Sequence, residues 1–370
     1  MTTVFDAHNH IFPPMATGGA FDTDCLKETQ YHVRFAGPGG FRRVGDNAPL
    51  MEPIMEGNGD GLTWLPELDF RVGANGRVLF TYGGNDYYYH FLGPACGDMS
   101  ATGTNTITQM DFAGVDRALI QHDRVYGRLD DYLAAALREY PDRLVALAQV
   151  DEWRGGAPDQ LDRLRRQVRE LGFSGLYFST GGFFHVDFSM NVNDAALEPL
   201  YRLVAELGIP IHWYLTETRQ PRVEVYLREL RELNEWAEAH PEIPCVLTHG
   251  LETLRIDMAN PQRFDVPAEI FDLIGRDGWH LELMLHKMLY DHPFPPAHPR
   301  APEIVRSLVR NIGAGKIVWG SDMPSCETVT TYRQSLVLYS EYCDFLTGPQ
   351  RQAIVGGNLA RLYPPGSQAC

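Results

Sequence analysis

The sequence has no cysteine pairs, no long apolar run and few basic residues, and each shortage removes a class of protein. Six cysteines (Cys25, Cys96, Cys245, Cys326, Cys343 and Cys370) are scattered over 370 residues with no CxxC among them. That spacing argues against a disulfide framework or a zinc ribbon and reads as free thiols in a reducing compartment. No window approaches the roughly 18 apolar residues that a membrane helix needs. Residues 1–10 lack the basic start and apolar stretch of a signal peptide, so a cytoplasmic protein with no membrane partner is expected. Lys and Arg number 32 against 48 Asp and Glu, a net charge of −16. Without a basic run, the phosphates of nucleic acid find no footprint. GxxxxGK[ST] and a strand–GxGxxG–helix context are both missing, which leaves no nucleotide cradle. No GxSxG elbow motivates a serine nucleophile.

What is present is enough apolar material for a large core, at 44% hydrophobic residues, and a regular alternation. From Asp116 onward, short β-rich runs at 118–121, 144–150, 175–178, 210–215, 245–249, 279–283 and 317–320 alternate with helical patterns. Those patterns cover 130–139, 159–171, 194–207, 223–239, 268–274 and 303–311. With Val4 and Phe5 opening a first strand, the count is eight. Strand–helix units of this number favour a closed parallel barrel, the (β/α)8 or TIM barrel, over an open sheet. The chain is expected to be one barrel domain, 1–370, with a long insertion after the first strand.

That insertion, residues 13–115, is rich in glycine and aromatics: GPGGFRR, GNGDG, TYGGNDYYYH and FLGPACGDMS. A segment leaving the first barrel strand emerges at the carboxyl-terminal face, where barrel active sites sit. It is therefore expected to act as a lid and to help build a substrate pocket.

The chemistry concentrates at strand ends. In Asp6-Ala7-His8-Asn9-His10, residues two apart along an extended chain share a face, so His8 and His10 converge. His212 lies in Pro210-Ile-His-Trp-Tyr-Leu, His249 closes Cys245-Val-Leu-Thr-His, and Asp322 follows Ile317-Val-Trp-Gly-Ser. Each is a lone polar residue at an apolar strand, and a buried ionisable group without a partner is costly. Several meeting at one barrel mouth are best explained by a shared metal ion.

DAHNH, IHWYL, VLTHG and VWGSDMP, in that order and spacing, resemble the amidohydrolase superfamily. Within it they are most similar to the branch of aminocarboxymuconate-semialdehyde decarboxylase and the aromatic-acid decarboxylases. The resemblance covers residues 116–362 and the first twelve, and extends to YPDRLVALAQV, LGFSGLYF and GGNLARLY, but not to 13–115. It implies that His8, His10, His212 and Asp322 are metal ligands and that His249 is a catalytic residue beside them. Binuclear branches carry a lysine at the end of the fourth strand, where this chain has GLYFS. One divalent ion is therefore implied, Zn2+ first and Fe2+ or Mn2+ next.

Further residues are candidates for a small-molecule substrate: His122 after the second strand, Glu282 in the seventh, and Arg42 and Tyr88 in the insertion. His286 reads as a loop residue. The expected activity is hydrolysis of an activated carbonyl (ester, thioester, lactone or C–C bond), with Asp322 and His249 as the catalytic pair. Non-oxidative decarboxylation of an unsaturated or aromatic acid is the second reading, and a binding protein that lost turnover the third. A homodimer is compatible with the resemblance.

Overall fold

The computed structural model describes residues 3–15, 21–34, 39–52, 54, 61–215, 223–251, 266–289 and 293–364. Parts of the glycine-rich runs GPGGFRR and GNGDG, and Cys370, lie outside them. The other five cysteines are buried free thiols.

Twelve strands form two sheets among the described residues. Eight are parallel and run in sequence order around a barrel: β1 (Phe5–Asn9), β6 (Arg117–Ile120), β7 (Leu144–Ala148), β8 (Gly175–Ser179), β9 (Ile211–Tyr214), β10 (Cys245–Thr248), β11 (Trp279–Leu283) and β12 (Ile317–Trp319). The β12 end meets β1 through a parallel bridge between Asn9 and Met323. Two hydrogen bonds flank it, Asp322 N–H to the His8 carbonyl at 2.9 Å and His10 N–H to the Met323 carbonyl at 2.8 Å. The chain is a (β/α)8 barrel.

Helices 130–139, 223–239 and 268–274 fall where their apolar spacing puts them. Their apolar stripes bury Leu133 and Leu137, Leu230 and Leu233, and Ile270 and Leu273 against the barrel wall. Inside the barrel, alternate residues pack on one another: Phe5, Ala7, Leu119, Val145, Leu147, Tyr177, Tyr214, Val246 and Val318. Leu359 and Tyr363 from the last helix join this interior cluster.

Between β1 and β6 the chain builds the helix Thr23–Val33 and a small antiparallel sheet. The sheet order is β2 (Arg42–Arg43), β5 (Asn85–His90), β4 (Arg77–Tyr82), β3 (Arg71–Val72). Phe41, Phe80 and Phe91 from this stretch belong to the same apolar core as the barrel helices. No helix among the described residues is long and apolar enough to cross a membrane.

Candidate active site

The register of β1 against β6 shifts between Asp6 and Asn9. Such a bulge re-aims side chains near a strand end, and here it separates two tasks. Asp6 and Asn9 turn toward β12 and the helix Tyr332–Val337. The Asp6 carboxylate accepts from Ser321 Oγ (2.6 Å), Ser321 N–H (2.8 Å), Tyr332 hydroxyl (2.7 Å), His8 N–H (3.0 Å) and Asn9 Nδ2 (3.3 Å). His8 and His10 turn the other way, and their Nε2 atoms stand 3.0 Å apart.

Asp322 completes the group. Its Oδ1 lies 3.4 Å from His10 Nε2 and 3.7 Å from His8 Nε2, and one ligating atom from each of the three residues falls within 4.8 Å of the others. Asp322 has φ +61° and His249 φ +52°, a left-handed conformation that Asp and His tolerate better than most residues and that clusters at functional sites. Gly320 makes the assembly possible. A Cβ there would come within 2.8 Å of the His8 Cβ and 2.9 Å of Glu282 Oε1.

Each imidazole is oriented from behind. His8 Nδ1 lies 2.9 Å from Glu282 Oε1, and His10 Nδ1 donates to the Gln121 carbonyl at 2.8 Å. The two Nε2 atoms converge at 3.0 Å, and in the tautomer that carries the proton on Nδ1 both would offer a lone pair to one shared cation. A backing carboxylate or carbonyl is the arrangement found behind metal-binding histidines. The residues present therefore fit a divalent ion held by His8, His10 and Asp322. Burial opposes a charged His8, but Glu282, and behind it Asp322 and Asp6, outweigh this and raise its pKa. The pocket is electronegative. Glu282→Gln is expected to weaken Zn2+ binding roughly 10- to 100-fold, as loss of such backing groups does, measured by equilibrium dialysis against the intact protein.

His212 does not join the group. It opposes Tyr177 and Val246 in the sheet, whereas Tyr214 opposes Ser179 and Thr248. At about 3.3 Å per residue, His212 stands two steps back from the carboxyl end of β9. Its Nε2 is 2.8 Å from the Tyr363 hydroxyl, and burial, with His8 and His280 adding to it, pushes its pKa down to about 3. The position nearest the mouth is filled by Tyr214, whose ring packs 4.4 Å from that of His249. His249 in turn lies 4.8 Å from the His8 ring, centroid to centroid.

The substrate candidates scatter. Glu282 is fully buried and braces His8 and Gln121, at 2.9 and 3.0 Å. His122 turns away into the turn before helix 130–139, its Nε2 accepting the Leu129 N–H at 3.0 Å, and burial pushes it down to about 4. Arg42 and Tyr88 are cross-strand partners in the small sheet. Tyr88 hydrogen bonds Asn47 at 2.6 Å and carries Arg77 over its ring. Among the described residues, no contact joins either to the His8 cluster. His286 is a buried helix residue whose Nε2 meets the Ser321 carbonyl at 2.8 Å.

Residues that sequence reasoning passed over line the same mouth. Tyr126 packs against His10 at 4.8 Å, stacks on Phe12 at 4.3 Å and touches Phe91 of the insertion at 5.7 Å. Asp123 accepts from the Tyr177 hydroxyl at 3.2 Å. Lys287 Nζ stands 3.3 Å from Asp322 Oδ2. No local pattern marks these residues, because they reach the site from short turns and a single helical turn after the strands.

Comparison with known proteins supplies the family. No curated protein matches the sequence. Among solved structures, a probable 2-pyrone-4,6-dicarboxylic acid hydrolase from Acinetobacter baumannii, solved with citric acid bound, is similar at 16% identity. It covers 98% of this chain and 99% of its own, with a TM-score of 0.56. A structure described as amidohydrolase II shares 14% identity over 97% and 99% of the two chains, also with a TM-score of 0.56. A 2,6-dihydroxybenzoate decarboxylase from Rhizobium shares 17% identity over 70% and 86%, with a TM-score of 0.49. The amidohydrolase family profile matches residues 5–364, including the stretch after β1 that carried no sequence resemblance, and the chain belongs to that family.

Proposed function

We propose that this amidohydrolase is a hydrolase that adds water to an activated carbonyl of a small organic acid derivative, with one divalent ion held by His8, His10 and Asp322. The observation that carries the reading is the pair of imidazole Nε2 atoms 3.0 Å apart with Asp322 Oδ1 beside them. We leave His212 out of the ligand set because it falls outside the group formed by His8, His10 and Asp322, with its Nε2 engaged by Tyr363. The ion, zinc by the donor chemistry, would supply Lewis acidity and bring the pKa of water near roughly 7.

The chain's own residues divide the remaining work. Glu282 and the Gln121 carbonyl fix both ring orientations, so little reorganisation is needed when substrate arrives. Lys287 already draws on the Asp322 carboxylate, which leaves His249, beside His8, as the better acceptor for the proton of attacking water. Tyr126 and Tyr214 wall the mouth with flat, polar-tipped surfaces suited to a conjugated acid derivative. The stretch between β1 and β6 serves as a cover over this face. It touches the site through Phe91 on Tyr126 and through Glu28 on Arg124.

The test is turnover in water labelled with heavy oxygen. The candidates are esters, thioesters and lactones, beginning with 2-pyrone-4,6-dicarboxylic acid, the lactone in the name of one structural neighbour. One labelled oxygen per product supports hydrolysis. Carbon dioxide release without label overturns it in favour of decarboxylation. In parallel, His8→Ala with His10→Ala is expected to lose bound metal by elemental analysis. Full occupancy in that variant, or two ions per wild-type chain, would contradict the single site.

A further inference from the structure

Lys287 lies in no motif, yet its ammonium stands 3.3 Å from a proposed ligand of the ion. It sits on the short helix Leu285–Met288 that follows β11. Three acceptors surround its Nζ: Ser325 Oγ at 2.9 Å, the Ser325 carbonyl at 3.2 Å and Asp322 Oδ2 at 3.3 Å. An ammonium has three N–H donors. Two hydrogen bonds to Ser325 and the ion pair with Asp322 hold the ammonium against protein. The other oxygen of the same carboxylate, Oδ1, faces the two imidazoles at 3.4 and 3.7 Å. Asp322 thus bridges a permanent internal cation and the place where the ion would bind.

We propose that Lys287 is a resident competitor for the charge of Asp322, which holds the affinity of the metal site down and keeps its ion exchangeable. The inference rests on the metal reading given above. Two effects of opposite sign are in play. The ammonium pins one rotamer of Asp322, which favours binding. That help is small, because the backbone of Asp322 is already held by its N–H bond to His8 and by the Cys326 N–H bond to its carbonyl, at 2.9 and 2.7 Å. Against it stands repulsion between a divalent ion on Oδ1 and an ammonium on Oδ2, two like charges on one carboxylate. Asp322, His8 and His10 are all buried, so water and salt screen this repulsion poorly. Repulsion dominates. A site weakened in this way takes its metal according to supply as much as donor preference.

The experiment is competition for Zn2+ between a chromogenic chelator and the full-length protein, comparing wild type with four variants. Lys287→Met and Lys287→Gln remove the charge and are expected to bind Zn2+ roughly tenfold or more tightly than wild type. Lys287→Arg keeps it and should stay close to wild type. Glutamine can still hydrogen bond Ser325, so it carries the test if the methionine variant does not fold. Neutral variants that bind equally or more weakly overturn the proposal. Asp322→Asn separates the two failures: if it binds Zn2+ as wild type does, the metal site itself is wrong. If it loses Zn2+ while the neutral Lys287 variants are unchanged, only the role of Lys287 falls.

Discussion

Replacing Asp322 with asparagine abolishes turnover while leaving the fold standing. Asparagine has the same shape and accepts a φ near +61° as readily as aspartate does. The two backbone hydrogen bonds of this residue, to His8 and from Cys326, do not involve the side chain. What is lost is the negative charge. Burial works against that charge, but Lys287 first, and then His10 and His8, hold the carboxyl well below the usual carboxylate range, so the group is ionised at any pH near neutral. A neutral amide no longer counters the charge of a divalent ion, so the ion and the Lewis acidity it would supply are lost. A fall in kcat on the order of 10³-fold or more is expected, the size seen when preorganised electrostatic groups are removed. The midpoint of thermal unfolding should move by only a few degrees. Activity within tenfold of wild type would place the chemistry elsewhere.

Arg124→Met is expected to cost stability on a comparable scale. Arg124 is fully buried after β6 and lies between two carboxylates. It grips Glu28 of the helix Thr23–Val33 through Nε and Nη2, at 2.9 and 3.0 Å, and reaches Glu152 at 2.6 Å and the Val150 carbonyl at 2.8 Å. One guanidinium cannot neutralise two buried acids equally. Burial opposes ionisation of Glu28, but Arg124, helped by His185, brings it down to about 2, while burial pushes Glu152 up to about 7. Methionine fills the volume and strands both acids, and breaking a buried ion pair in this way costs about 3–5 kcal/mol. The unfolding midpoint should drop by roughly 4–6 °C, measured by calorimetry at neutral pH. The loss should shrink in acid, because below the folded pKa of Glu28 both acids carry their protons. A drop of under a degree at neutral pH would mean that the three groups do not depend on one another. The damage should reach the site as well, since Arg124 anchors the turn Arg124–Tyr126 that sets Tyr126 against His10.

The barrel was legible because its signals are local. Apolar periodicity located helices 130–139, 223–239 and 268–274 and strand 279–283 at their structural bounds. His8 and His10 were legible because an extended chain repeats every two residues, and the bulge at the end of β1 preserved their convergence. At β9 the same rule does not choose a residue: His212 and Tyr214 alternate identically into the barrel, and the resemblance alone named His212 a ligand. The sheet register decides which of the two stands at the mouth, and it puts Tyr214 last. Glu282 was read from its strand as a substrate candidate, and the contact that the structure gives it, His8 at 2.9 Å, lies 274 residues away.

The sequence by itself determined the eight strand–helix units and which polar residues end their strands, because the strength of a helix or strand pattern is a property of neighbours along the chain. Only the tertiary structure decided that His8, His10 and Asp322 meet while His212 turns to Tyr363, and that Lys287 shares the carboxylate of Asp322. Those choices depend on shear between strands and on where loops descend over the barrel, and the energy that fixes them comes from contacts between residues with no sequence proximity.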